Sequence, residues 1–251
     1  MKLNRFQAFG AHFLGSFVVA LFSAALVFLV WYRWPLAVAT GVTGIFALLL
    51  AVDVVIGPCI TLLVFNPAKK ELKRDLAIVL LLQISALVYG LHAVFVARPV
   101  YLVFNSDRFD LVYANDLSAD KLNKVSDLQF RSVPMLGAEV IASRKPDDVK
   151  VRNDIMFSAI AGGDDLPQLP QYYVRYTTMK SQVQNHIRPL EELKSFNKVR
   201  VGEITAMNSK YGSINGGIGF LPLRGKVSDL TVIVRRDSAE VIEVSDLKPW
   251  Q

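Results

Sequence analysis

Asp53 is the residue in this sequence that most needs a chemical account. It sits in LLLAVDVVIGPCITLLVF, residues 48–65, an apolar run that also holds the helix-breaking pair Gly57–Pro58. A carboxylate within a bilayer costs about 2.5–3.5 kcal/mol on insertion scales, so by default it marks a functional site or a polar partner. Two readings are open. In the plain one the carboxyl is protonated or bonds to Gln83, Ser85 or Tyr89, and Gly57–Pro58 is a kink that lets helices pack closely. In the functional one Asp53, Gly57 and Pro58 form a polar notch that receives another helix carrying a complementary group.

Elsewhere the residues that do chemistry are scattered. The three histidines, His12, His92 and His186, lie in separate segments with no second His or Cys at ligand spacing, so neither zinc nor heme is expected. His186 has no nucleophile patterned around it, and a helix-surface or packed histidine is the plain reading. The acidic doublets Asp147–Asp148, Asp164–Asp165 and Glu191–Glu192 fall at turns or helix starts, where carboxylates cap backbone N–H groups. Cys59 reads as a small apolar filler, and the chain beyond the apolar runs has no cysteine for a disulfide. The stretch GSINGGIGF has no Lys-Ser/Thr ending and reads as a loop, not a phosphate cradle. The expectation is a protein without catalytic residues, cofactor or metal.

The elements that must place Asp53 are membrane helices. The 251 residues are 52% hydrophobic, with mean hydropathy +0.35, and the apolar excess is concentrated before residue 97. Three runs, about 12–34, 36–65 and 76–96, are long enough to span a bilayer, which takes about 20 apolar residues. The first ends in the aromatics Trp31, Tyr32 and Trp34, suited to headgroup level. The second exceeds what a perpendicular helix needs, so it tilts, kinks at Gly57–Pro58 or lays its first turn in the interface. Residues 1–97 thus form a transmembrane domain and residues 98–251 a soluble one.

Basic residues orient the spans. Lys2, Arg5, Lys69, Lys70, Lys73 and Arg74 share one side, against Arg33 and Arg98 on the other. The positive-inside rule puts the N-terminus in the cytoplasm and the C-terminal domain outside it. The net charge of +6 is largely this topology signal. Residues 98–251 carry nearly balanced charge, so a nucleic-acid partner is not expected.

In the second part, RPVYLVFNSDRFDLVY reads as a hairpin turning at residues 105–108, followed by a short helix that Ser118 caps. AEVIAS is strand-like, DDVKVRNDIMFSAIAGG a helix closed by Gly162–Gly163, and DLPQLPQYYVRY a proline-punctuated connection. A helix interrupted near Pro189 precedes the strands GIGFLPLR, LTVIVRR and VIEVSD. The fold class expected is an α-helical three-span membrane domain followed by an α+β soluble domain with an antiparallel sheet.

Three stretches, FLVWYRWPL, GVTGIFALLLAVDVVIGPCITLLVFNPAKKELKRDL and LLLQISALVYGLHAVFVARPVYLVFNSDRFDLV, resemble the TfpX/TfpZ family of type IV pilin accessory proteins. LPLRGKVSDLTVIV and the closing Pro-Trp are similar to the family's C-terminal end. Cys59 stands where the family pattern suggests an aliphatic residue. The resemblance implies a bacterial inner-membrane protein, its C-terminal domain periplasmic, that helps a type IV major pilin in pilus assembly as chaperone or modulator. The lipid bilayer and other inner-membrane pilus assembly proteins are further implied partners. The rival class is a membrane-anchored periplasmic ligand-sensing or binding module. A sensor needs a cytoplasmic output, and this topology leaves about a ten-residue loop and a short tail for it.

Overall fold

The computed structural model describes residues 4–212 and 216–250. Lys2 and residues 213–215 of the glycine-rich loop lie outside that range. The chain divides into two compact units, one of residues 1–33 and 41–97, the other of residues 34–40 and 98–251.

The first unit is three apolar helices, Arg5–Trp31, Val42–Val64 and Leu72–Val96, here spans 1, 2 and 3, each long and apolar enough to cross a membrane. Asn4 starts span 1 with a capping box: its side chain accepts from Gln7 N–H at 2.8 Å and Gln7 returns the bond at 3.0 Å. Span 2 widens into a π-helical turn over Val52–Ile56, directly before Gly57–Pro58. Proline has no N–H and its ring crowds the carbonyl four residues back, and the wider turn relieves that crowding. The carboxylate therefore lies on the turn that the proline deforms.

Span 2 packs on both of its neighbours. Spans 1 and 3 meet at their C-terminal ends, where Tyr32 Oη donates to the Val94 carbonyl at 2.8 Å and the Trp31 and Phe95 rings lie 5.0 Å apart. Gly90 of span 3 admits Leu49 of span 2 so closely that a β-carbon there would collide with it.

The second apolar run does not form one helix from residue 36. Its first five residues, Leu36–Thr40, make a separate helical turn, and Gly41, in the left-handed region at φ +68°, breaks the helix before span 2. That turn belongs to the second unit. The Ala39 carbonyl accepts from Val227 N–H at 3.0 Å, and Leu36 and Ala39 join the sheet's core.

The second unit is a seven-stranded sheet. Its strands are β1 (Pro99–Asn105), β2 (Arg108–Tyr113), β3 (Glu139–Ser143), β4 (Tyr173–Arg175), β5 (Ile218–Arg224), β6 (Leu230–Arg235) and β7 (Val241–Ser245). The spatial order is β4-β3-β1-β2-β5-β6-β7. This corrects the antiparallel expectation: β1 runs parallel to β3, and β2 parallel to β5, so the sheet is mixed. Tight turns announce antiparallel hairpins in a sequence. Parallel neighbours need long crossovers, here residues 106–138 between β1 and β3 and 114–217 between β2 and β5, which carry no such local mark.

Alternation along the strands divides the core. Leu102 and Phe104 of β1 face one cluster with Val183, Leu221 and Val232, while Tyr101 and Val103 face another with Phe130 and Tyr173. Helices Glu191–Phe196 and Val201–Tyr211 supply Leu193 and Ile204 to a third cluster around Phe220.

Candidate functional site

Asp53 stands at the middle of Val42–Val64, roughly 16 Å from either end at 1.5 Å per residue, and is 7% exposed. Gln83 of span 3 reaches it, but the Gln83 amide donates to the Asp53 backbone carbonyl, at 3.1 Å. Carboxylate oxygen Oδ2 has no hydrogen-bond partner among the described residues, and neither does Gln83 Oε1. Of the three side chains expected to satisfy the carboxyl, Gln83 therefore serves the main chain, and Tyr89 is 76% exposed.

Gly57 and Pro58 are buried beside it. A β-carbon at Gly57 would run into the Gln83 amide, so this glycine is what lets spans 2 and 3 approach. The residues expected to form a notch are thus together, with the glycine contributing space for Gln83.

Around Asp53 lies a cleft of about 440 Å³. Ala8, Ala11, Gly15 and Val19 of span 1 form one wall, and Leu76, Leu80, Ile84 and Leu87 of span 3 the other. Asp53 and Thr61 of span 2 contribute its polar groups together with His12, Ser16 and Gln83. His12 Nδ1 lies 2.6 Å from Thr61 Oγ1. Sequence reading did not connect that pair, because 49 positions separate the two residues and no local pattern joins them. Gly15 leaves the span 1 wall open, since a β-carbon there meets nothing within 4 Å.

The four cations expected to set topology lie at the start of span 3 and before it. Lys69 pairs with Asp75 and Arg74 with Glu71, while Lys70 and Lys73 are exposed. Cys59 is exposed on the span surface and not a packed filler.

In the second unit the buried carboxylate is ion-paired. Asp110, 2% exposed, meets Arg224 Nε at 2.5 Å, and Arg224 also contacts Asp165 at 3.3 Å. Burial raises the Asp110 carboxyl above its usual range, with Arg224 and Arg108 pulling the other way. Burial likewise pushes Tyr113 up to about 12. Asp148 and Asp165 cap the helices after them, each accepting a main-chain N–H at 2.7 Å. His186 Nδ1 lies 2.8 Å from the Gln182 carbonyl on an exposed helix end. Among the described residues no group of three or more His, Cys, Asp or Glu could hold a metal.

Residues 2–41 match the family described as Fimbrial assembly protein FimB. The chain is 34% identical over 192 residues to the fimbrial assembly protein, serogroup E1, of Dichelobacter nodosus, covering 76% of this chain and 73% of that protein. It is 32% identical to the serogroup I protein of the same organism, over 85% of this chain and 84% of that one. The chain belongs to the fimbrial assembly protein family. A third such protein, of serogroups C1 and C2, is 37% identical over 45% of this chain and 88% of its own length. No solved structure matches the chain. This fimbrial assembly protein thus combines three apolar helices, a sheet domain and, in the middle of span 2, a carboxylate with one oxygen unpartnered among the described residues.

Proposed function

We propose that the protein is an inner-membrane accessory factor of type IV pilus biogenesis of the TfpX/TfpZ kind. In this reading it docks a major pilin through its membrane helices and its periplasmic domain, as a pilin-specific chaperone or assembly modulator, and catalyses nothing. The observation that carries the reading is the likeness to proteins named for fimbrial assembly over most of the chain's length. The three spans support a place in the membrane beside pilins awaiting assembly. The cluster Lys69, Lys70, Lys73 and Arg74 favours a cytoplasmic N-terminus and an exported sheet domain.

The test is removal of the protein from its own cells and restoration from a plasmid. Surface pili counted by electron microscopy should disappear and return, with the major pilin still synthesised. Pili unchanged in the deletion strain would contradict the reading. Alkaline phosphatase fused after residue 120 should be active and after residue 70 inactive; the reverse would overturn the orientation.

A further inference from the structure

The cleft has features that a lipid-facing groove does not require. Its polar group, Asp53, is more than nine-tenths buried and lines the cleft with Oδ2 unpartnered among the described residues. Its span 1 wall is small at Ala8, Ala11 and Gly15, spaced three and four apart and hence on one helix face. Small residues on such a face let a second backbone come close, the usual condition for helix association in lipid. Spans 1 and 3 are pinned by Tyr32–Val94 and Trp31–Phe95 at one end, and the cleft runs between their N-terminal halves. An acyl chain lying there would leave the carboxylate oxygen unsatisfied in hydrocarbon, which is costly. A helix bearing one donor satisfies it and fills the walls.

We propose that the cleft seats one transmembrane helix of the pilin, with a hydrogen-bond donor or cationic group of that helix on the Asp53 carboxyl halfway through the bilayer. This rests on the assembly reading above and adds the place, depth and chemistry of the contact. His12 and Thr61 add a hydrogen-bonded polar pair to the same lining, so donors are accommodated along it and the carboxylate disfavours anions beside it. The occupant enters sideways from the lipid, since the pinned ends close the other approach between spans 1 and 3.

The experiment is photo-crosslinking in cells that make the full chain and its pili. Benzophenone side chains replace Leu80 and Ile84 in the cleft and, as controls, Ile45 and Leu48, which are exposed apolar positions that do not line the cleft. Pilin adducts are expected from 80 and 84 and not from 45 and 48. Asp53→Leu should lower them about tenfold or more, the loss of a buried charge-assisted hydrogen bond. Gly15→Leu should do the same by filling the seat, while Gly10→Leu and Gly44→Leu, at glycines equally open but outside the cleft, should not. If Asp53→Leu fails to accumulate, Gly15→Leu decides the matter alone. Equal adducts from the controls, adducts to lipid or to a second copy of this chain alone, or pilin adducts that survive both leucine substitutions would overturn the seat. Where deletion abolishes pili yet the cleft probes capture no pilin, the seat fails and the assembly reading stands. Where deletion leaves pili intact, the assembly reading itself fails.

Discussion

Asp53 and Asp110 are both buried carboxylates, and the chain treats them differently. In the sheet unit Asp110 has Arg224 at 2.5 Å, Arg108 at 3.9 Å and the Asn105 amide at 3.3 Å. Buried Thr231 donates to the Leu247 carbonyl and Asn197 to the Lys248 carbonyl, while Arg108 Nε, Gln171 Oε1 and Arg235 Nε have no hydrogen-bond partner among the described residues. In the membrane unit Gln83 bonds the Asp53 main-chain oxygen, and the carboxylate Oδ2 has no hydrogen-bond partner among the described residues. The medium makes the contrast sharper. Water can reach the edge of a sheet domain, whereas in hydrocarbon an unmatched oxygen has no solvent to turn to. Under the proposed seat, ion-paired Asp110 serves the fold and Asp53 serves a partner.

That distinction can be broken most forcefully at the core itself. Phe220→Ala, at a fully buried ring of the third cluster, should cost the sheet unit about 3–5 kcal/mol in denaturant unfolding. A loss under about 1 kcal/mol would mean the packing described here is not what holds the sheet. Arg224→Ala comes next. It leaves Asp110 buried with Arg108 as its remaining cation, and about 2 kcal/mol should go, less than for a fully buried pair because Arg224 is partly solvated.

Asp110→Asn should cost less than Arg224→Ala, about 1 kcal/mol or under, because its site already favours the neutral form. The sign with pH follows. The folded carboxyl holds its proton more tightly than the unfolded one, so its contribution is fullest below the ordinary carboxylate range and declines as pH rises to the raised folded value. Across that window wild type should gain on Asp110→Asn as pH falls, read from paired urea titrations. A gap that widens in the opposite direction would show that Arg224 outweighs burial. Gly57→Ala tests the membrane unit: the new methyl meets the Gln83 amide, so the thermal midpoint in detergent should drop, and Gly57→Ala with Gln83→Ala should recover most of it. The smallest effect is expected at Lys70→Gln, an exposed cation, with pili and stability unchanged.

The apolar runs, the hairpin β1–β2 and the turn-bounded strands β5 to β7 were legible because each follows a local pattern. The short strand β4 was not, since Tyr173–Arg175 lies among prolines and is recruited by β3 across the sheet. Val201–Tyr211 was missed as well: with a Gly in its first turn and a polar outer face, it is held by Ile204 in the third cluster. The mixed sheet could not be read, because parallel partners are chosen by crossover packing and not by turns. At the site, Asp53 and Gly57–Pro58 announced themselves against hydrocarbon. Their surroundings did not: His12, Thr61 and Gly15 are ordinary residues for a helix in the membrane until three spans bring them to one cleft.

Asp53 serves either a partner or the fold. The direct measurement is Asp53→Leu in the full chain, with its thermal midpoint in detergent and the surface pili of the same cells read side by side. If the carboxylate is set aside for the pilin, the midpoint should hold or rise, as expected on removing an unmatched buried oxygen, while pili fall by about tenfold or more. A midpoint that drops together with the pili, or pili that stay at the wild-type level, would contradict it.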